Sequence, residues 1–436
     1  MTDKKIDFEY VFSGTNMMNL LPFKSKENHT DDYNELKMKV IEDGVKLVKE
    51  ACKDIFPEFN IRTSILFNAY VETKKGPGYN QYNNVGFDSL YADSGGLQVI
   101  TQGAVLDDEM KRNIYEIQKH SEYAFCFDEI PVEIKDGLTI SGGGRSNYSM
   151  KQFDAARFKE CAIKTGQNVY EQLQSFEGTN TKAFQIIQGN TYQDMIDWMR
   201  YGAPEIKHLD KLAGLAPSVA CMGNGELESC DMLMACKTIF DEFEDVNRRL
   251  HLLGFGAPNR LLPAILLMKS GFLENINVSF DSSSNAMAMM MGNYKIDGLG
   301  VSDNVSIKKS LSLFVGFFDE IFKKYIGEYD QDELVEYIFE RIRYTTKIED
   351  DAFSVKQKFV PINGSIIPLY CTWLNIGFFK HSRKLVDENY GQTAIGLLSE
   401  VHTVDDYLHW RRQFKSSVKS VRMYRKRESD LGDLFG

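Results

Sequence analysis

Acidic and amide side chains stand at the ends of several short apolar stretches that are far apart in the chain. Asp93, Asp128, Gln188 and Asp281 each hold such a position. A pocket built from carboxylates and an amide suits a displacement at the anomeric carbon of a sugar, in which one carboxylate attacks and another transfers protons. The other polar groups would then hold a planar leaving group through hydrogen bonds.

The stretch around Asp93 also has a purely structural interpretation. It continues as Ser94-Gly95-Gly96-Leu97-Gln98, and Asp and Gly are ordinary residues of helix caps and turns. The second acid, Asp281, favours the chemical interpretation, provided that the fold brings the two acids to the same place.

The apolar stretches that we predict as strands alternate with helical patterns. The predicted strands are Ile61 to Asn68, Ser89 to Asp93, Tyr123 to Asp128, Ala183 to Gln188, Leu209 to Gly214, Leu250 to Gly254 and Asn277 to Asp281, with Lys295 to Val301 as the eighth and weakest. The predicted helices between them are Asp107 to His120, Met150 to Phe176, Thr191 to Tyr201, Gly225 to Val246 and Asn259 to Met268. This alternation favours a closed (β/α)8 TIM-type barrel, in which the strand ends converge on one mouth. An open doubly wound sheet is the alternative, although no strand end shows Gly-x-Gly-x-x-Gly spacing.

Three regions follow from this assignment. Residues 1–58 form an N-terminal segment with an amphipathic helix over Asp31 to Phe56, and residues 59–302 form the catalytic barrel with its insertions. Residues 303–436 form a mainly helical C-terminal extension, with a short β segment predicted at Phe359 to Pro368.

Cationic side chains occur in two long connections and in the last predicted helix, Asp405 to Lys426. The connections, Val71 to Phe87 and Glu129 to Ser149, follow predicted strands and would lie at the mouth as lids or binding loops. The candidate nucleic-acid-binding residues are Lys74, Lys75, Arg145, Arg411, Lys415, Lys419 and Arg422. The last four share one helical face beside an aromatic stripe, which suits a phosphate backbone but also fits a solvated surface helix.

The composition is that of a soluble globular protein. Of 436 residues, 43% are hydrophobic and 26% charged, and the lack of a run of about eighteen apolar residues predicts no membrane span. The polar amino terminus and seven cysteines without a Cys-x-x-Cys pair lead us to expect the cytoplasm. The net charge of -11 disfavours nucleic acid in general, but a basic groove can lie on an acidic protein.

Five segments resemble, in order, the motifs of the tRNA-guanine transglycosylase superfamily. They are Asp93-Ser94-Gly95-Gly96-Leu97-Gln98, Phe127-Asp128-Glu129, Ile187-Gln188-Gly189, Ala213-Gly214-Leu215-Ala216, and Leu252 to Pro258 followed by Phe280-Asp281. The resemblance implies that Asp281 is the nucleophile of a covalent glycosyl-aspartate intermediate and that Asp93 is the general acid and base. The implied base-binding residues are Ser94, Asp128, Gln188, Gly214, Leu215 and Gly256. The implied reaction exchanges a guanine, flipped out or single-stranded, for a free 7-deazaguanine base.

The chain departs from the family pattern in three places. Leu97 replaces an aromatic residue that stacks on the base, Ser282 to Asn285 replaces a Pro-Thr-Arg type segment, and the family's structural zinc site has no counterpart. We therefore expect no metal or other cofactor. Because these departures affect the part that holds tRNA, the chain most resembles the phage and bacterial members that modify DNA. A tRNA enzyme and a non-catalytic nucleic-acid-binding paralogue are the alternatives, and a homodimer is expected by analogy with the tRNA enzymes.

Overall fold

Strands and helices alternate along the chain in the computed structural model, which describes residues 6–13, 31–75, 86–95, 107–134, 151–218, 225–282, 294–296, 299–301, 304–343 and 357–416. The strands are β1 (Ile6–Ser13), β2 (Phe59–Asn68), β3 (Leu90–Asp93), β4 (Tyr123–Phe125), β5 (Val132–Ile134), β6 (Lys151–Phe153), β7 (Lys182–Ile187), β8 (Gly214–Pro217), β9 (Arg249–Leu252), β10 (Asn277–Ser282), β11 (Tyr294–Ile296) and β12 (Leu299–Val301). The helices are α1 (Asp31–Ile55), α2 (Ala69–Lys75), α3 (Asp108–Gln118), α4 (Phe158–Ser175), α5 (Tyr192–Ile206), α6 (Glu226–Glu242), α7 (Pro258–Lys269), α8 (Asn304–Phe317), α9 (Asp319–Ile326), α10 (Gln331–Arg343), α11 (Val360–Asn363), α12 (Ile366–Asn389) and α13 (404–416).

Eight parallel strands close into a barrel in the order β1-β10-β9-β8-β7-β4-β3-β2. The predicted (β/α)8 barrel is therefore confirmed, and the open doubly wound sheet is wrong. Two antiparallel pairs, β5 with β6 and β11 with β12, lie outside this sheet. Since all barrel strands are parallel, their carboxyl ends form a single mouth.

Strand β1 closes the barrel between β10 and β2. It pairs along its whole length with β2, from Ile6 opposite Phe59 to Ser13 opposite Leu66. On its other side Val11 lies opposite Asp281 of β10. The barrel thus begins at Ile6 and not at residue 59, which corrects the predicted boundary between an N-terminal segment and the barrel.

The outer surface of β1 and β10 is aromatic and is covered by the C-terminal extension. Phe379 of α12 contacts the rings of Phe8, Tyr10 and Phe280, with centroid distances of 6.4, 5.9 and 6.3 Å. Helix α12 also packs against α1 where Gly44 allows close approach, because a Cβ there would lie 2.1 Å from Leu369 Cδ2. The extension is therefore continuous with the hydrophobic core of the barrel.

Several predicted elements differ from the observed ones. The predicted strand Leu209 to Gly214 is instead a 3-10 turn, Leu209–Lys211, followed by β8, which only begins at Gly214. The predicted strand Lys295 to Val301 belongs to the β11–β12 hairpin outside the barrel. The predicted β segment Phe359 to Pro368 is helical, because its apolar residues begin the buried helical pattern of α11 and α12. The first part of the predicted loop after β2 is helix α2.

No helix within the described ranges combines the length and the apolar character needed to span a membrane.

Candidate active site

Asp93 lies at the carboxyl end of β3 and is held by neutral donors. Asn68, opposite it at the end of β2, donates its side-chain amide to Asp93 Oδ2 at 3.0 Å. Burial raises the pKa of Asp93 to about 6; the backbone N–H of Gly95 opposes this shift, and the negative charge of Asp281 adds to it. A carboxyl group with such a pKa can exchange a proton with a ligand near neutral pH.

The turn after Asp93 requires glycine. Gly95 has a φ of +86°, and a Cβ at this position would lie 2.4 Å from Cβ of Tyr70. The backbone N–H groups that face the carboxylate of Asp93 are therefore fixed by a turn that other residues would strain. The following residues of the motif, from Gly96 to Gln98, lie outside the described residues.

Asp281 lies near the carboxyl end of β10 and faces the inside of the barrel. Its carboxylate Oδ1 accepts the backbone N–H of Gly254 at 2.7 Å, and Nε2 of His251 is 3.4 Å from the same oxygen. The side chain is 13% exposed. Asp93 and Asp281 stand at or near the carboxyl ends of two strands of the same closed parallel barrel, so the barrel brings two acids that are far apart in sequence to one mouth, and the charge of Asp281 adds to the raised pKa of Asp93.

Asp128 and Gln188 form a second pair beside these acids. Gln188, directly after β7, donates Nε2 to Asp128 Oδ2 at 2.6 Å. Burial raises the pKa of Asp128 to about 6, the hydrogen bond from Gln188 opposes the shift, and the charges of Asp93 and Glu129 contribute to it. Gln188 is fully buried, and its Oε1 has no hydrogen-bond partner among the described residues. An acceptor in this state suits a hydrogen-bond donor from a ligand.

The other predicted base-binding residues differ in their placement. Ser94 is buried and donates its hydroxyl to the carbonyl of Cys126 at 3.0 Å. Gly256 is buried in the connection from β9 to α7. The predicted contacts of these two residues with a base stay predictions.

Gly214 and Leu215 lie in the first half of β8, away from the mouth, so their predicted position at a strand end is wrong. Leu215 pairs with Gln185, three residues before Gln188, and with Leu250. A Cβ on Gly214 would lie 1.9 Å from the carbonyl oxygen of Arg249, which shows that this glycine is needed for strand packing.

Two buried polar residues of the barrel interior were not predicted from the sequence. His251 in β9 is fully buried and directed at Asp281, and Glu9 in β1 is 4% exposed. Glu9 accepts hydrogen bonds from Ser64, Tyr91 and Arg249. The signal for both was a polar residue with an apolar neighbour on each side, Phe8 and Tyr10 for Glu9 and Leu250 and Leu252 for His251.

The predicted nucleic-acid-binding residues fall into three groups. Arg411 is not free for phosphate, because Nε and Nη2 bind both carboxylate oxygens of buried Asp231 at 2.5 and 2.6 Å. Lys415 is exposed near the end of α13, and Lys74 and Lys75 end α2. Arg145, Lys419 and Arg422 lie outside the described residues.

No group of three or more His, Cys, Asp or Glu side chains that could hold a metal ion occurs among the described residues. Six of the cysteines are buried free thiols, including Cys230 and Cys236 of α6.

Comparison with known proteins adds no assignment. No family model matches the sequence, and the search of curated proteins gave no significant match.

Proposed function

We propose that the protein is a guanine transglycosylase, which exchanges a guanine in DNA for a free 7-deazaguanine base through a covalent glycosyl-aspartate intermediate. The observation that carries this proposal is the pairing of two different acids at one barrel mouth. Asp281 accepts the backbone N–H of Gly254, and Asp93 has a raised pKa that suits proton transfer. The order of the five motifs supports the same reaction.

The first half of the reaction breaks the bond between the sugar and guanine. A carboxylate oxygen of Asp281 donates an electron pair to C1′ of the nucleotide, while the electron pair of the C1′–N9 bond leaves with the base. Protonated Asp93 supplies the proton that neutralises the departing guanine. Because attack occurs on the face opposite the base, the intermediate has inverted configuration at C1′.

The second half restores the configuration. The incoming 7-deazaguanine loses its N9 proton to ionised Asp93 and attacks C1′, and the bond from C1′ to Asp281 breaks with its electron pair returning to the carboxylate. Two displacements give net retention, and no oxidant or metal is needed for the balance. The target nucleotide has to leave the base stack before Asp281 can reach C1′.

Asp128 and Gln188 are the residues that we assign to base recognition. The carboxylate of Asp128 and the unpartnered Oε1 of Gln188 both accept hydrogen bonds. A guanine-type base presents N–H donors at N1 and at its 2-amino group, which match such acceptors. A base whose facing edge carried only acceptors would leave Asp128 and Gln188 Oε1 without hydrogen bonds, and the protein would bind such a base more weakly.

The test is incorporation of a radiolabelled 7-deazaguanine into nucleic acid. The purified protein is incubated with the labelled base and either guanine-containing DNA or tRNA, with Asp281→Asn as the matched inactive control. We expect label in DNA. Label in tRNA alone would make this a tRNA enzyme, and nucleic-acid binding without label in either substrate would support the non-catalytic paralogue.

A further inference from the structure

His251 lies inside the barrel directly below Asp281. The register places His251 of β9 opposite Ser279 of β10, and Asp281 follows two residues later on the same inner face. His251 Nδ1 lies 3.0 Å from Ser279 Oγ, while its Nε2 is 3.4 Å from Asp281 Oδ1. The ring therefore bridges a serine hydroxyl and the proposed nucleophile.

The imidazole ring is confined on its sides by aromatic side chains. Its centroid lies 4.7 Å from that of Phe125, 5.5 Å from Tyr91 and 5.9 Å from Phe184. The side chain is fully buried, and Nε2 has no hydrogen-bond partner within bonding geometry among the described residues. At 3.4 Å the carboxylate of Asp281 faces Nε2 as a close electrostatic contact and not as a formed hydrogen bond.

The chemistry of the neighbours selects one tautomer. An ionised carboxylate only accepts hydrogen bonds, so a lone pair on Nε2 would be repelled by Oδ1. A proton on Nε2 removes this repulsion, and the Ser279 hydroxyl then donates to Nδ1. The single hydroxyl proton of Ser279 has two possible acceptors, Nδ1 of His251 at 3.0 Å and the Leu250 carbonyl at 3.4 Å, and the shorter contact favours donation to Nδ1.

We infer that His251 is a positioning residue for Asp281 and that it determines which carboxylate oxygen attacks. This inference rests on the proposed function. Oδ1 is held by the Gly254 N–H and faced by the His251 Nε2–H, so Oδ2 is the oxygen directed at the ligand. In the covalent intermediate Oδ2 becomes the ester oxygen, and Oδ1 becomes the carbonyl oxygen that still faces both donors. When C1′–Oδ2 breaks, the same donors stabilise the returning negative charge.

Two variants of His251 distinguish the effect of losing the hydrogen-bond donor from the effect of changing the side-chain volume. In His251→Gln, the side-chain amide can present an N–H near the position of Nε2, whereas His251→Leu fills similar volume without a donor. We expect the Leu variant to lower the rate of covalent-complex formation ~10- to 100-fold with little change in KM for the free base, and the Gln variant to retain most of the rate. Equal loss in both variants would overturn the inference.

A smaller change keeps the test valid if the Leu variant folds poorly. Ser279→Ala leaves the imidazole in place and removes only the group at Nδ1. We expect a ~3- to 10-fold slower rate of covalent-complex formation, with a thermal unfolding temperature close to that of the native protein. An unchanged rate would show that the tautomer is not controlled by Ser279.

Nitrogen NMR of the full-length protein tests the contact without any enzymatic assay. With 15N-labelled histidine, the His251 signals are identified by their loss in His251→Gln, and we expect the tautomer with the proton on Nε2. Asp281→Asn should shift the Nε2 resonance. A proton on Nδ1 instead would overturn the inference even in an active enzyme. The expected tautomer in a protein that forms no covalent complex with DNA or tRNA would overturn the proposed function, and the catalytic role of His251 with it.

Discussion

Buried carboxylates at the two ends of the barrel differ in their partners: those at one end have a cation and those at the other do not. Toward the amino end, Glu9 is surrounded by donors and forms an ion pair with Arg249 at 2.9 Å. At the mouth, Asp93, Asp128 and Asp281 have no Lys or Arg partner within 4.0 Å among the described residues, and their hydrogen bonds come from amides. A buried carboxylate with a full set of partners becomes costly when its cation is removed, whereas carboxylates without a cation are free to interact with a ligand.

The largest expected effect is at the mouth, where we propose different roles for the two acids. Asp281→Asn should abolish covalent trapping on nucleic acid, a loss of at least ~10³-fold, because the amide is a poor nucleophile. Asp93→Asn should slow trapping while Asp281 can still attack, because only the proton donor is lost. Trapping is measured by denaturing gel electrophoresis after incubation with DNA. Trapping by the Asp281 variant at the native level would exclude it as the nucleophile.

The second largest effect is expected at the opposite end of the barrel, where a substitution removes the cation paired with Glu9. Arg249→Met should lower the free energy of unfolding by ~3–5 kcal/mol, because it leaves Glu9 buried without its cation. The double variant with Glu9→Gln should recover a large part of this loss, since no buried charge is left. Urea unfolding measures both. If the Arg249 variant were as stable as the native protein, the proposed difference between the two ends of the barrel would be wrong.

A smaller effect of opposite sign is expected at Asp93. Since its pKa is raised to about 6 in the folded protein, the ionised carboxylate destabilises the fold. This destabilisation is absent at pH values below the pKa that Asp93 has in the unfolded chain. It grows as the pH rises toward 6 and is constant at higher pH. Asp93→Asn should therefore stabilise the protein by ~1–2 kcal/mol at pH 8 and by nothing near pH 3. Thermal unfolding at several pH values measures the difference.

Asp88 provides the matched control for that experiment. Its carboxylate accepts Lys49 Nζ at 2.7 Å and the backbone N–H of Thr63 at 2.7 Å. The same Asp-to-Asn substitution should here lower stability at pH 8, because it removes an ion pair. Equal signs at the two positions would contradict the proposed difference between paired and unpaired acids.

The smallest effect concerns cations rather than acids. Lys415 is exposed and has no ion-pair partner among the described residues, whereas Arg411 is held by Asp231. Lys415→Ala should weaken DNA binding a few-fold and lower the slope of log K against log salt by ~1, with no loss of stability. Arg411→Met should instead lower stability, because it leaves Asp231 without its cation. An unchanged salt slope for the Lys415 variant would assign α13 to the solvated surface.

Most of the barrel was predictable because its strands and helices alternate with clear turn residues between them. Strand β1 was not, since both of its faces are buried and a charged residue, Glu9, points inward, so no alternation marks it. Strand β8 was misplaced because it contains Gly214 and Pro217, which are poor strand formers.

The site was predictable only in part. Asp93, Asp128, Gln188 and Asp281 stand at strand ends, where a barrel brings polar residues together. His251 lies between two leucines in the middle of β9, and only the register with β10 shows what it faces. The pairing of Arg411 with Asp231 joins residues far apart in sequence, and charge patterning on one helix cannot reveal it.

The position of β1 has a consequence for how the chain folds. Val11 pairs with Asp281, so residues from the two ends of the barrel sequence have to meet before the sheet can close. During synthesis, the strand that carries the proposed nucleophile is the last of the eight barrel strands to emerge, and until then β1 has an open edge. Contacts of such long sequence separation form slowly. Barrel closure and assembly of the site are then expected to be one late event.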